Sequence, residues 1–258
     1  MGGDDPQGAP RDGGDAQEET AAERTRIARE LIAGVRGMSP SQMPNALCRT
    51  CVSLLPVVSG LSISVMADSL DLGVVLCASD EVAARLAEIQ YTLGEGPCQE
   101  ALRLRAPVFA ADLTRPPDAR RWPLFSTQAA KAGAGAAFSL PLGGTGIALG
   151  TLDLYMDVPG FLSGDQVRTA LLVADAVTLA VTALDHASSD PEGVVTWLAG
   201  VEADREKVHQ ATGMIMVQLD VSAEEALLRL RARAFAQGRT TVEVARAVIG
   251  RTLDLRDD

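Results

Sequence analysis

The chain has 258 residues, enough for one or two domains with buried cores. At 47% apolar and 22% charged it has the make-up of a folded globular protein, which excludes a wholly disordered chain. A net charge of −11 argues against a protein that coats nucleic acid without regard to sequence. No apolar run reaches membrane-spanning length, and the Gly- and Asp-rich N-terminus lacks the apolar core of a signal peptide, so a cytoplasmic location is expected, with no membrane partner.

Residues 1–20 carry no apolar periodicity and read as a disordered acidic tail. Ile27, Leu31, Ile32 and Val35 recur at helical spacing, so Ala21–Val35 predicts a helix that Gly37 and Pro40 end. Ser41 is placed to cap a second helix, running to about Leu55 ahead of Pro56. Leu61–Met66 alternates as a strand, with Gly73–Ala78 as its partner. Asp80–Tyr91 predicts a helix. The loop Gly94–Cys98 then leads into a helix at Gln99–Leu104, with Pro97 suited to its first turn. Pro107–Ala110 reads as a short strand, Arg115-Pro116-Pro117 as an exposed loop and Trp122–Ala132 as a helix. Ala136–Leu142 and Ile147–Tyr155 are strands joined through Gly143-Gly144-Thr145-Gly146 as a hairpin. Ser163 caps a helix from Gly164 to His186. There Val167, Ala174 and Val181, with Ala170, Val177 and Leu184, keep a seven-residue apolar repeat. Residues 188–193 read as a linker, because Pro191 breaks the preceding helix.

The run LGEGPCQEAL, then PVFAADL, a Trp-Pro helix and the hairpin ending in GTLDLYM together resemble a GAF domain, over about Ile27–Ala187. The resemblance implies an α+β sensory domain over 21–187. Its sheet would be mainly antiparallel with flanking helices packed on one face, and its terminal helices often mediate dimerisation. A pocket for an unknown small molecule would lie near Ser64, Leu76, Cys98, Phe138 and Asp153.

The last part of the chain, 194–258, reads as three helices. The first, from about Gly193 to Leu219, spaces Val194, Val201, Val208 and Ile215 seven apart, the seam spacing of a coiled coil, with Trp197 and Ala211 beside them and Asp204 breaking the row. Ser222 can cap the second, with Glu224 and Glu225 in its positive first turn; this helix buries Ala226, Leu227, Leu230 and Ala234, and Gly238 closes it. Thr240 or Thr241 starts the third, expected to bury Val242, Ala245, Val248, Ile249 and Thr252. Ala211-Thr212-Gly213-Met214-Ile215-Met216, then Ser222-Ala223-Glu224-Glu225-Ala226, Leu230, Ala234 and Val244-Ala245, resemble the ANTAR module, an all-α three-helix RNA-binding domain of bacterial antiterminators. Thr212 stands where many ANTAR domains carry Lys. The resemblance implies binding to RNA stem-loops in leader transcripts.

Between Arg205 and Arg251 eight basic side chains face five acidic ones, a local reversal of the chain's charge. Arg229 and Arg233 lie one turn apart, with Arg231 on the other flank of the buried stripe; guanidinium groups suit phosphate and can stack on unpaired bases. The bland alternative is a solvated face, with Glu225 pairing to Arg229 or the face packing on the first domain. Arg239, Arg246, Arg205, Lys207, His209 and Gln210 complete the candidate RNA contacts. The two seams suggest a homodimer, with a sensory signal passing through the helix Gly164–His186. Rival readings are a DNA-binding helix-turn-helix, or a ligand sensor acting through protein contacts with the helical module as dimeriser. Cys48-x-x-Cys51, Cys77 and Cys98 read as buried reduced cysteines rather than metal ligands, with Cys98 at a helix start where a dipole can favour the thiolate. No catalytic frame, metal site or cofactor motif stands out, so a non-enzymatic chain is expected.

Overall fold

Alternation along the strands sets where the cores lie. In the computed structural model, which describes residues 12–39, 42–67, 72–143, 149–187 and 195–257, five antiparallel strands run in the order β2-β1-β5-β4-β3. They are β1 (Gly60–Ala67), β2 (Leu72–Ala78), β3 (Val108–Ala110), β4 (Ala136–Leu142) and β5 (Gly150–Met156). Leu61, Ile63, Phe138, Leu140, Leu152 and Leu154 share a core with α1 (Asp12–Val35), α2 (Met43–Leu54) and α7 (Gly164–Ala187). Ala137 and Tyr155 belong instead to a core with α3 (Glu81–Leu93), α4 (Pro97–Leu104) and α6 (Pro123–Ala132), in which Phe125 and Trp122 are the bulk. Helices therefore cover both faces of the sheet, not one, because each face carries apolar side chains that must leave water.

The predicted elements hold with shifted ends. Asp80 accepts from the Ala83 amide as the N-cap of α3, and Gly94 closes that helix at φ 64. Pro97 opens α4, and Ser163 and Gln166 cap the start of α7 reciprocally. α1 begins at Asp12 rather than Ala21, so part of the expected tail is helical. By residue type, Ala16, Gln17, Glu18 and Glu19 favour a helix, which the absence of apolar periodicity does not exclude. Residues 1–11, the Ser41 cap, the tip 144–148 of the hairpin and the linker 188–193 lie outside the described residues. A four-residue helix, α5 (Asp118–Arg121), was not expected.

The C-terminal trio is α8 (Val195–Leu219), α9 (Ala223–Gln237) and α10 (Thr241–Ile249). α9 buries Ala226, Leu227, Leu230 and Ala234, as expected, but α10 buries Thr241, Val244, Ala245 and Val248. Val242 and Ile249 are half-buried and Thr252 is exposed, because the buried stripe is rotated by about one position from the expected one. The seams also have another use. Val208, Ala211 and Ile215 pack inside the trio, and Ala170, Ala174 and Val177 pack on the sheet. These side chains are buried within the single chain, whereas Val167 and Val181 of the same repeat are half-buried; Val194, Val201 and Leu184 lie outside the described side chains.

The cysteines correct a second expectation: Cys48 of α2 and Cys77 of β2 form a disulfide, while Cys51 and Cys98 are free and buried. Opposed positions across the α2–β2 contact bring together two cysteines that stand 29 residues apart. Phe125 has no exposed surface. Phe125→Ala should cost the sheet-bearing half about 3–5 kcal/mol, read as a lower urea midpoint for its unfolding.

Candidate RNA-binding face and sensor pocket

Local capping fixes the helices that carry the candidate contacts. The Ser222 hydroxyl accepts from the Glu225 amide at 3.2 Å, and Gly238 ends α9 at φ 61. Thr240 and Glu243 cap α10 reciprocally at 3.1 and 2.8 Å, and this bond set holds the Glu243 carboxyl below its usual range. The expected contacts do not form one open surface. Arg229 is exposed and its Nε donates to Glu225 at 2.8 Å. Arg239 is half-buried and donates to the Gln237 side chain at 3.1 Å and to the Glu243 carbonyl at 2.8 Å. Arg246 and Gln210 are exposed, Lys207 and His209 half-buried, and the Arg205 side chain lies outside the described residues. Gln210 lines a groove with Gly213, Val217, Arg251 and Arg256, the last two not expected from sequence. Thr212 is buried, and its hydroxyl donates to the Val208 carbonyl at 2.7 Å.

Arg231 and Arg233 are half-buried, and Arg231 turns toward the sheet-bearing half. Its guanidinium carbon stands 5.4 Å from the Tyr91 ring centroid on α3, within cation–π range. A side chain at Gly94, the left-handed end of α3, would come within 3.2 Å of the same guanidinium. One turn of α3 supplies two more contacts. The Thr92 and Thr241 hydroxyls are hydrogen-bonded at 3.2 Å, both buried. Burial raises the Glu88 carboxyl above its usual range, against the opposing pull of hydrogen bonds from the Thr241 amide and the Thr92 hydroxyl. Burial likewise raises the Tyr91 phenol, against the charge of Arg231. The sequence places Glu88 and Tyr91 on the helix expected over Asp80–Tyr91 and leaves Thr92 just past its end, whereas α3 runs on to Leu93. Their i, i+3, i+4 spacing marks one face of α3, but nothing in it says what that face meets.

On the other side of α3 lies the sensor interior. Ser62, Ser139, Thr151 and Asp153 form a buried polar band on the sheet. Thr151 donates to Asp153 Oδ2 at 2.8 Å, and Gln90 of α3 accepts from the Cys98 amide at 2.8 Å. Burial, and then the charge of Asp153, raise the Cys98 thiol well above its usual range, so burial overrides any helix-start effect. Of the expected pocket residues, Ser64, Cys98 and Asp153 lie along this band, in clefts that Gln90 and Tyr91 also line. Leu76 and Phe138 do not. Both belong to the opposite core, Phe138 by the two-residue alternation between Ala137 and Ser139. Leu76 falls in the register irregularity where Ile63 pairs with Cys77 but Ser64 pairs with Val75.

A GAF domain model matches residues 37–182, and an ANTAR domain model matches residues 201–249. The chain belongs to the GAF domain family, and it joins that domain to an ANTAR domain. This GAF–ANTAR regulator thus pairs a signal-sensing domain type with a domain of an RNA-binding antitermination family. Among solved structures it is similar to the GAF domain of a phosphoenolpyruvate-protein phosphotransferase from Coxiella burnetii. That match has 15% identity and a TM-score of 0.48, covering 66% of this chain and 98% of the other. It is also similar to the corresponding GAF domain from Acinetobacter, at 10% identity and TM-score 0.46, covering 66% and 98%. No curated protein matches the sequence. Among the described residues no helix is long and apolar enough to cross a membrane, and no cluster of three or more His, Cys, Asp or Glu side chains could hold a metal.

Burial, opposed by hydrogen bonds from Ser139 and Thr151, lifts the Asp153 carboxyl from 3.8 to about 6. The folded chain holds this proton more tightly than the unfolded one, so the stabilisation is full below pH 3.8 and is lost as pH rises through about 6. Relative to Asp153→Asn, the GAF domain should lose roughly 2 kcal/mol between pH 4 and pH 7. Urea midpoints of both proteins across that range check it.

Proposed function

We propose that this GAF–ANTAR protein is a cytoplasmic, signal-responsive RNA-binding regulator of transcription antitermination, acting by binding and not by catalysis. The ANTAR domain takes stem-loops of a leader transcript, and the GAF domain controls whether its arginine-bearing face is open to them. One observation carries this reading: Arg231, a guanidinium suited to stack on an unpaired base, stacks instead on Tyr91 of the GAF domain. The same group cannot serve a base and Tyr91 together, so docking and RNA contact compete. The regulatory path therefore runs through α3, and not through the seam of α7 that the spacing suggested. Gln90 lines a narrow cleft with Asp153 and Tyr91 another with Cys98, so a ligand that widened either one would press on the helix that holds Arg231.

The cation–π contact is worth about 1–2 kcal/mol when partly desolvated. Tyr91→Ala in the full chain should therefore tighten binding to a pool of stem-loop RNAs with randomised loops by about tenfold. Adding Arg231→Ala should remove that gain, and a DNA duplex should compete poorly. Filter-binding titrations check this. A chain that prefers the duplex, or that binds no loop with or without Tyr91, contradicts the RNA reading.

A further inference from the structure

The disulfide between Cys48 and Cys77 lies inside the main core, at 0 and 4% exposure. It ties α2 to β2, a strand at the edge of the sheet with β1 on one side. The register irregularity sits beside Cys77, and an edge strand with an irregular register is a natural place for local opening. β2 is also the strand that touches both α3 and the ANTAR helix α8. The bond thus anchors an element in contact with the two halves of the docking arrangement.

We propose that Cys48–Cys77 is a reversible thiol–disulfide sensing site, whose reduction loosens β2 and with it the hold of the GAF domain on the ANTAR domain. Disulfides in a reducing compartment are usually transient and redox-sensing, and the proposed cytoplasmic regulator would work in such a compartment. The other cysteines are poor exchange partners. Burial pushes the Cys51 thiol up to about 12 and the Cys98 thiol well above its usual range, so neither is a thiolate at neutral pH. In the forward reaction a dithiol reductant attacks one sulfur of the pair and forms a mixed disulfide. Its second thiol then displaces the protein, leaving Cys48 and Cys77 each with a proton and the reductant as a disulfide, a two-electron exchange. A low-molecular-weight disulfide such as glutathione disulfide reverses it through the same kind of intermediate.

The test equilibrates the full chain in buffers of graded glutathione to glutathione disulfide ratio, quenches with acid, then alkylates and maps the free thiols by mass. Cys48 and Cys77 should gain label together, with a midpoint inside the accessible ratios. A bond intact at the most reducing ratio, or absent at the most oxidising, overturns the proposal. Amide exchange of the same samples reads the coupling: Thr241–Ile249 and Glu88–Leu93 should exchange at least about tenfold faster in the reduced chain, and equal rates overturn it. Cys48→Ala with Cys77→Val, which keeps the core apolar, should show the fast rates at every ratio; should that variant not fold, the wild-type titration and exchange decide alone. The redox site stands or falls on these readouts without RNA. A chain that responds to redox yet binds no stem-loop would refute the proposed function and leave the switch.

Discussion

Glu88, Tyr91 and Thr92 lie on one side of α3, and the ANTAR domain rests on all three. The opposite side of the same helix, with Ala83, Leu86 and Gln90, closes the GAF interior over the sheet. A thirteen-residue helix is therefore a wall common to the GAF interior and the face on which the ANTAR domain rests. Packed helices move as units, so a shift that suits an occupant on one side changes the fit on the other.

The strength of this contact suits a switch. A partly buried cation–π pair and a buried hydroxyl pair each contribute about 1 kcal/mol net, and desolvating Glu88 works against them. A balance of a few kcal/mol is within the reach of one ligand or one RNA loop that prefers one arrangement, whereas an apolar interface of obligate size would not be. Apolar burial does the separate work of keeping each domain folded. Leu140 and Leu152 lie in the GAF core, and Leu230, Val244 and Ile215 in the ANTAR core.

Much of this was legible in the sequence, and the boundary is physical. Capping chemistry is local, so Asp80, Ser222, Gly238 and Thr240 marked helix ends from residue type alone. Alternation is local too, and it separates Leu61 and Ile63 from Ser62 and Ser64. What periodicity encodes is that a side chain is buried, not what buries it. Val208 and Ile215 fit a dimer seam as well as they fit the interior of a trio, and Tyr91 fits any amphipathic helix. Cys48 and Cys77 looked like small core residues because only the α2–β2 contact brings them together. Leu76 faces the opposite core from the expected pocket because a register irregularity resets the two-residue alternation at that point. Of the candidate RNA contacts, Arg229 and its pairing with Glu225 followed from one-turn spacing, while the burial of Arg231 depended on a partner more than a hundred residues away.

The account turns on docking at α3 and RNA binding being mutually exclusive. Thr92 and Thr241 offer a direct lock, since their hydroxyl oxygens are 3.2 Å apart. Thr92→Cys with Thr241→Cys in the full chain should form a bond that holds the docked arrangement. Affinity for stem-loop RNA should then fall at least tenfold under oxidising conditions and return on reduction, beyond any change in the wild type treated alike. A locked chain that binds the same RNA as tightly as the unlocked one would contradict the account.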